Sequence, residues 1–261
     1  QNPRLMSRIM NSAKDLGCLI MQHAEDHELA KNGMINSGII ASKLGLSGIP
    51  EIAERILIER DLTLLERVKC RYHISQISSQ KSVDVIKLRK EIIKFTSGVS
   101  INNLSLNEND IGDFRTFLKL SPPLRTEEDR VALVQGLKEE LIDVIVSDHK
   151  PEDEESKRLT FSQAATGASG IETLLSLSLE LYHNRSLKLE TIIKALTSNP
   201  AKILKINKGN LSIGNDADLC IVDVDKPWIV KKEKLVSKSK NTSIENKKLQ
   251  GKVTNTFVKG I

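Results

Sequence analysis

The segment Leu141-Ile142-Asp143-Val144-Ile145-Val146-Ser147 constrains this chain more than any other. Short runs rich in Ile and Val read as strands covered on both faces, the pattern of a parallel sheet. Helices and strands alternate around it. Leu5, Ile9 and Ala13 recur at helical spacing between Arg4 and Lys14, with Pro3 suited to the first turn and Gly17 closing the helix. Cys18 to His23 reads as a strand, Ile52 to Glu66 as a helix, Arg71 to Ile77 as a strand and Val83 to Ile93 as a helix. Gly98 to Asn102 is a further strand candidate. Pro122-Pro123 introduce a helix over Glu127 to Glu139, with Thr126 as its cap. Ile171 to His183 and Leu189 to Leu204 read as two long helices.

This alternation predicts an α/β fold with a parallel sheet and right-handed crossovers. After Gly209 the pattern changes. Ala217 to Val224 and Lys252 to Val258 are strand-like, with a Lys-rich loop between them. The expected organisation is an α/β part over residues 1–209 and a small β appendage over 210–261.

Composition excludes several classes. Aromatics are only 3% of the chain, so Ile, Leu and Val must fill the core, and no aromatics interleave with the late lysines to stack bases. The formal charge of +5 comes mainly from Lys231 to Lys252, which reads as a solvated surface and not a nucleic-acid face. Three widely spaced cysteines, Cys18, Cys70 and Cys220, suit reduced thiols in a cytoplasmic protein. No run approaches the roughly 20 apolar residues of a membrane helix. The first residue is Gln1 and not Met, so the chain is expected to begin partway through a longer product.

Several strand candidates carry or end in polar groups. One ends at His23, another contains His73 and Gln76, and the Val-rich strand runs into Asp148-His149. Side chains at the carboxyl ends of parallel barrel strands converge on one mouth, and imidazoles with carboxylates there can hold zinc. Each also has a plainer reading. His23 could be a hydrogen-bonded core histidine, Asp148 a cap, His73 structural, and Glu152 to Glu155 a solvated loop.

Taken together, several segments resemble dihydroorotase, of the amidohydrolase superfamily. They are HAEDHELAKNGMINSGIIASKLGLSGIP from His23, LKLSPPLRTEEDRVALVQGLKEELIDVIVSDHKP from Leu118, GASGIETLL from Gly167, TSNPAKIL from Thr197, GNDADLCIVDVDKPWIV from Gly214 and SKSKNTS from Ser237. The resemblance implies strands five to eight of a (β/α)8 TIM-type barrel, with residues 210–261 belonging to a small β-sandwich-like domain. It implies zinc at the barrel mouth and reversible cyclisation of carbamoyl aspartate to dihydroorotate in pyrimidine biosynthesis. By the same resemblance His23 is a metal ligand, and Asp148 is both metal ligand and proton shuttle.

Four departures stand out. Gln76 in His73-Ile74-Ser75-Gln76-Ile77-Ser78 takes the place of a ligand histidine. Ser121 replaces a substrate-contacting asparagine, and Glu152 replaces a histidine that faces substrate. Ile101-Asn102-Asn103 stands where the family has Pro-His-His. The strand-one H-x-H pair and the strand-four lysine or aspartate lie outside the chain.

Three functions follow as expectations. One is a zinc dihydroorotase. Another is a silent dihydroorotase-like subunit that supports an aspartate carbamoyltransferase assembly. The third is an amidohydrolase for another cyclic amide or ureide. Half a barrel also leaves two strand edges unpaired, so instability or pairing with another chain, including self-association, is expected.

Overall fold

The computed structural model describes residues 2–261. In chain order its first elements are α1 (Pro3–Asp15), β1 (Leu19–Gln22), β2 (Ile35–Asn36), α2 (Ile39–Leu44), β3 (Gly48–Ile49), α3 (Ile52–Val68) and β4 (Arg71–Ile77). Then come α4 (Gln80–Lys90), β5 (Thr96–Ser100), α5 (Ile101–Ser105), α6 (Glu127–Lys138), β6 (Val144–Val146) and α7 (Glu154–Arg158). The chain closes with α8 (Leu174–His183), α9 (Leu189–Leu196), α10 (Ser198–Leu204), β7 (Leu219–Ile229) and β8 (Lys248–Phe257).

Strands β1, β4, β5 and β6 form one parallel sheet in that order. Ile74, Ile77, Val99 and Ile145 are buried in it and share one apolar cluster with Leu57, Ile58, Leu62 and Leu65 of α3. Burying each such side chain stabilises the fold by about 1.5–3 kcal/mol, so this layer is its main support. Between β4 and β5 the backbones approach closely. A Cβ on Gly98 would lie 2.6 Å from the Ser75 carbonyl, so glycine is required there.

The helix ends follow their local chemistry. Asn2 caps α1 by accepting from the backbone N–H of Arg4 at 2.9 Å. Thr126, the cap that the sequence suggests, forms a reciprocal capping box with Asp129 at the start of α6.

Four expectations are corrected. The strand read over Leu141 to Ser147 is confined to Val144–Val146. The N–H groups of Leu141 and Ile142 both go to the Gly136 carbonyl and close α6 instead of joining the sheet. The strand read over Gly98 to Asn102 stops at Ser100, whose hydroxyl accepts from the Asn102 N–H and starts α5. The single helix read over Leu189 to Leu204 divides into α9 and α10 at Thr197. Pro200 has no N–H for the Leu196 carbonyl, and Asn199 instead donates to the Asp143 carbonyl at 2.9 Å. Finally, β7 and β8 are longer than their patterns imply and pair antiparallel from Leu219–Phe257 to Ile229–Lys248. This hairpin packs on α8, where Trp228 Nε1 donates to Ser176 Oγ and Ser176 Oγ donates to the Gly251 carbonyl.

Candidate functional site

The parallel sheet brings the polar residues to its carboxyl ends. His23 follows the last residue of β1, Gln76 is the penultimate residue of β4, Ser100 ends β5, and Asp148 lies two residues beyond β6. The amide of Gln76 donates to Asp148 Oδ1 at 2.8 Å, and the Ser100 hydroxyl reaches Asp148 Oδ2 at 3.5 Å. Asp148 adopts a left-handed backbone (φ 47°), uncommon for a residue with a side chain. Ser121 Oγ and His23 Nε2 are 3.4 Å apart. The described hydrogen bonds thus make two pairs, Gln76 with Asp148 and Ser121 with His23.

His23 is exposed, which overturns its reading as a core histidine. His73 is the core histidine instead: its Nδ1 lies 2.8 Å from Thr96 Oγ1, and burial lowers its pKa, keeping it neutral. Glu152 belongs to a different neighbourhood. Its N–H donates to Asn241 Oδ1 at 3.3 Å, and it lines a cavity of about 610 Å³ together with Lys232, Lys238, Lys240 and Asn241. Asn102 and Asn103 are buried in α5. Asn103 donates to the Pro123 carbonyl at 2.9 Å, and Asn102 Oδ1 accepts from Ser243 at 2.8 Å.

Behind Gln76 and Ser121 lies a buried polar network. Glu54 accepts from the Ser78 N–H at 3.0 Å and from the hydroxyls of Ser78, Ser79 and Ser82. Arg125 Nε donates to Ser78 Oγ, and its Nη1 donates to Asn36 Oδ1 at 2.8 Å and to the Ile49 carbonyl at 2.6 Å. Asn36 passes the chain on to Glu108 Oε2. Burial pulls the Arg125 pKa down, and Glu54 opposes that pull. The network ties the end of β4 to the loop that carries Ser121. Arg125, Asn36 and Ser78 lie in segments that carry the family resemblance, but no member of the network has a role legible in the sequence.

Zinc needs several converging nitrogen, sulfur or carboxylate donors. Among the described residues no three His, Cys, Asp or Glu side chains come together to hold a metal ion. One oxygen of Asp148 already accepts from the Gln76 amide, and His23 Nε2 faces a hydroxyl. The donors on this chain do not by themselves fit zinc.

The sequence profile of the amidohydrolase family matches residues 1–261. The chain belongs to the amidohydrolase family. Among curated relatives of this family, a protein named dihydroorotase from Ehrlichia chaffeensis is 42% identical, over 99% of this chain and 58% of its own length. Another dihydroorotase, from Desulforapulum autotrophicum, is 38% identical over 100% of this chain and 61% of its own. The chain therefore spans about three-fifths of these relatives. An L-hydantoinase (dihydropyrimidinase) from Arthrobacter aurescens superposes with a TM-score of 0.90 at 26% identity, covering 100% of this chain and 60% of that one. A dihydropyrimidinase from Brevibacillus agri has the same fold, with a TM-score of 0.87 at 21% identity, covering 98% of this chain and 58% of that one. Among the described residues no helix is long and apolar enough to cross a membrane.

Proposed function

We propose that this chain is part of a dihydroorotase-type cyclic amidohydrolase of pyrimidine biosynthesis, opening and closing the dihydroorotate ring at its amide. The observation that carries the reading is the identity of about 40% with dihydroorotases along essentially the whole chain. The four parallel strands are read as strands five to eight of a (β/α)8 barrel, and residues 210–261 as part of a small second sheet domain. A cytoplasmic location goes with this reading.

Asp148 is assigned the proton-handling role. A carboxylate held by Gln76 and Ser100 can take a proton from attacking water and return it to the leaving ring nitrogen. His23 and Ser121 together offer hydrogen-bonding groups to a substrate carbonyl or carboxylate. Glu152 is assigned a substrate-binding role from the lysine-lined cavity that it shares with Asn241. No step is routed through zinc. The test is hydrolysis of dihydroorotate by the complete protein with zinc supplied, followed by ultraviolet absorbance. Ring opening supports the reading. A folded protein without turnover, beside an active homologue, contradicts it.

One observation favours a second reading. The Gln76 amide sits on the Asp148 carboxylate where a cation would neutralise it. That suits a silent dihydroorotase-like subunit in an aspartate carbamoyltransferase assembly, and co-purification with that enzyme, without metal dependence, tests it. The likeness to an L-hydantoinase supports a third, an amidohydrolase for another cyclic ureide, which turnover of hydantoins in place of dihydroorotate would reveal.

A further inference from the structure

Two lysines are buried in the segments flanking the site. Lys157, in α7, is 1% exposed, and Lys119, two residues before Ser121, is 8% exposed. Lysine is rarely buried without a carboxylate partner. Here the four hydrogen bonds described for the two ammonium groups all go to backbone carbonyls. Lys157 Nζ donates to Ala165 O at 2.7 Å and Gly167 O at 2.9 Å. Lys119 Nζ donates to Ser162 O at 2.9 Å and Ala164 O at 2.8 Å. Two cations therefore grip one row of carbonyls.

That row leans directly on the residues after Asp148. The Lys150 N–H donates to Ala168 O at 2.9 Å, and His149 and Ala168 form a parallel bridge. Gly167 O also accepts from Asn241 Nδ2 at 3.1 Å, and Asn241 Oδ1 accepts from the Glu152 N–H at 3.3 Å. Gly167 N–H returns to Lys119 O at 2.9 Å. The contact is close enough that a Cβ on Gly167, which has φ +145°, would lie 2.6 Å from the Lys150 carbonyl.

We propose that Lys119 and Lys157 are positioning residues, a two-ammonium clamp whose hold on the 162–167 carbonyls fixes the Lys150–Glu152 backbone beside Asp148. Its bearing on catalysis rests on the amidohydrolase reading of Asp148, but the clamp itself does not, so its test reads the backbone and not turnover. Burial lowers the Lys157 pKa to about 8; Glu152 opposes this shift and Lys119 adds to it. A neutral amine still has two N–H donors for its two carbonyls, so the clamp holds on either side of that pH.

The experiment is amide hydrogen exchange on the complete protein and its Lys157→Met and Lys119→Met variants, with β4 residues 71–77 as the internal reference. The expected result is exchange at least about tenfold faster at both 162–168 and 150–152 in each variant, with 71–77 unchanged. Faster exchange at 162–168 with 150–152 unaltered overturns the positioning role. Uniform acceleration everywhere also overturns it, since that reports global destabilisation. If Lys157→Met does not fold, Lys119→Met is judged by the same criteria. In the wild type, protection at 162–168, corrected for intrinsic exchange, is expected to persist at pH 9.5, and its loss there overturns the carbonyl clamp.

Discussion

The mouth of the sheet and the layer directly behind it are built to different standards. Behind the mouth, Glu54, Ser78, Arg125, Asn36 and Glu108 are buried and joined by successive hydrogen bonds. At the mouth, His23 is exposed and its Nε2 lies 3.4 Å from Ser121 Oγ, while Asp148 is held by a neutral amide and a distant hydroxyl. Buried charges must be fully matched or the fold suffers, whereas groups facing water or substrate are free of that demand. The difference teaches that the scaffold of this amidohydrolase is kept by folding energetics, and that the residues at its mouth can change without endangering it.

Replacing Glu54 gives the largest break between the two regions. Glu54→Ala takes the acceptor from the Ser78 N–H and from the Ser78 and Ser82 hydroxyls and the nearby carboxylate from the Arg125 charge, and should cost about 3–5 kcal/mol in denaturant unfolding. A loss below about 1 kcal/mol would remove the claim that this network supports the fold.

A pH series sharpens the contrast for the buried lysines. The folded Lys157 pKa of about 8 lies below the ordinary 10.5, so between those values the unfolded chain binds more protons than the native one. Stability therefore rises with pH across that window, by at most about 3 kcal/mol. Denaturant titrations of wild type and Lys157→Met from pH 7.5 to 10.5 should show this rise in the wild type alone. Parallel curves would place Lys157 in water.

Gln76→His tests the mouth from the opposite direction. An imidazole in place of the neutral amide should tighten zinc binding by at least about tenfold, about 1.4 kcal/mol, in competition with a chromogenic chelator. Unchanged affinity would mean that Gln76 is not what limits metal binding. The smallest effect is expected for Asp148→Asn on stability, within about 1 kcal/mol of wild type, because the residue is only partly buried. A larger loss would assign Asp148 to the scaffold.

Much of the scaffold was legible because its signals are local. Strand β4 has the bounds its apolar run implies, and the Thr126 cap is visible three residues before Asp129. The C-terminal half of the Leu189 to Leu204 pattern misled because apolar spacing continues across Pro200, although the proline itself was in view. The first strand of the hairpin was read too short because Asp225 and Lys226 look like loop residues, yet a strand facing water accepts them on its open side. The site was legible chiefly through resemblance, since His23, Gln76, Ser121 and Asp148 are far apart in sequence and only the sheet gathers them. Lys119 and Lys157 gave no signal at all. A lysine's burial depends on which distant carbonyls surround it, and the local sequence does not record that.

The most direct test of the central claim compares the complete wild-type protein with Asp148→Asn for opening of the dihydroorotate ring. Asparagine preserves size and cannot accept the proton, so the account predicts wild-type turnover that falls at least about 10²-fold in the variant while the fold is retained. Equal rates in the two proteins, or no turnover from a folded wild type beside an active homologue, would contradict it.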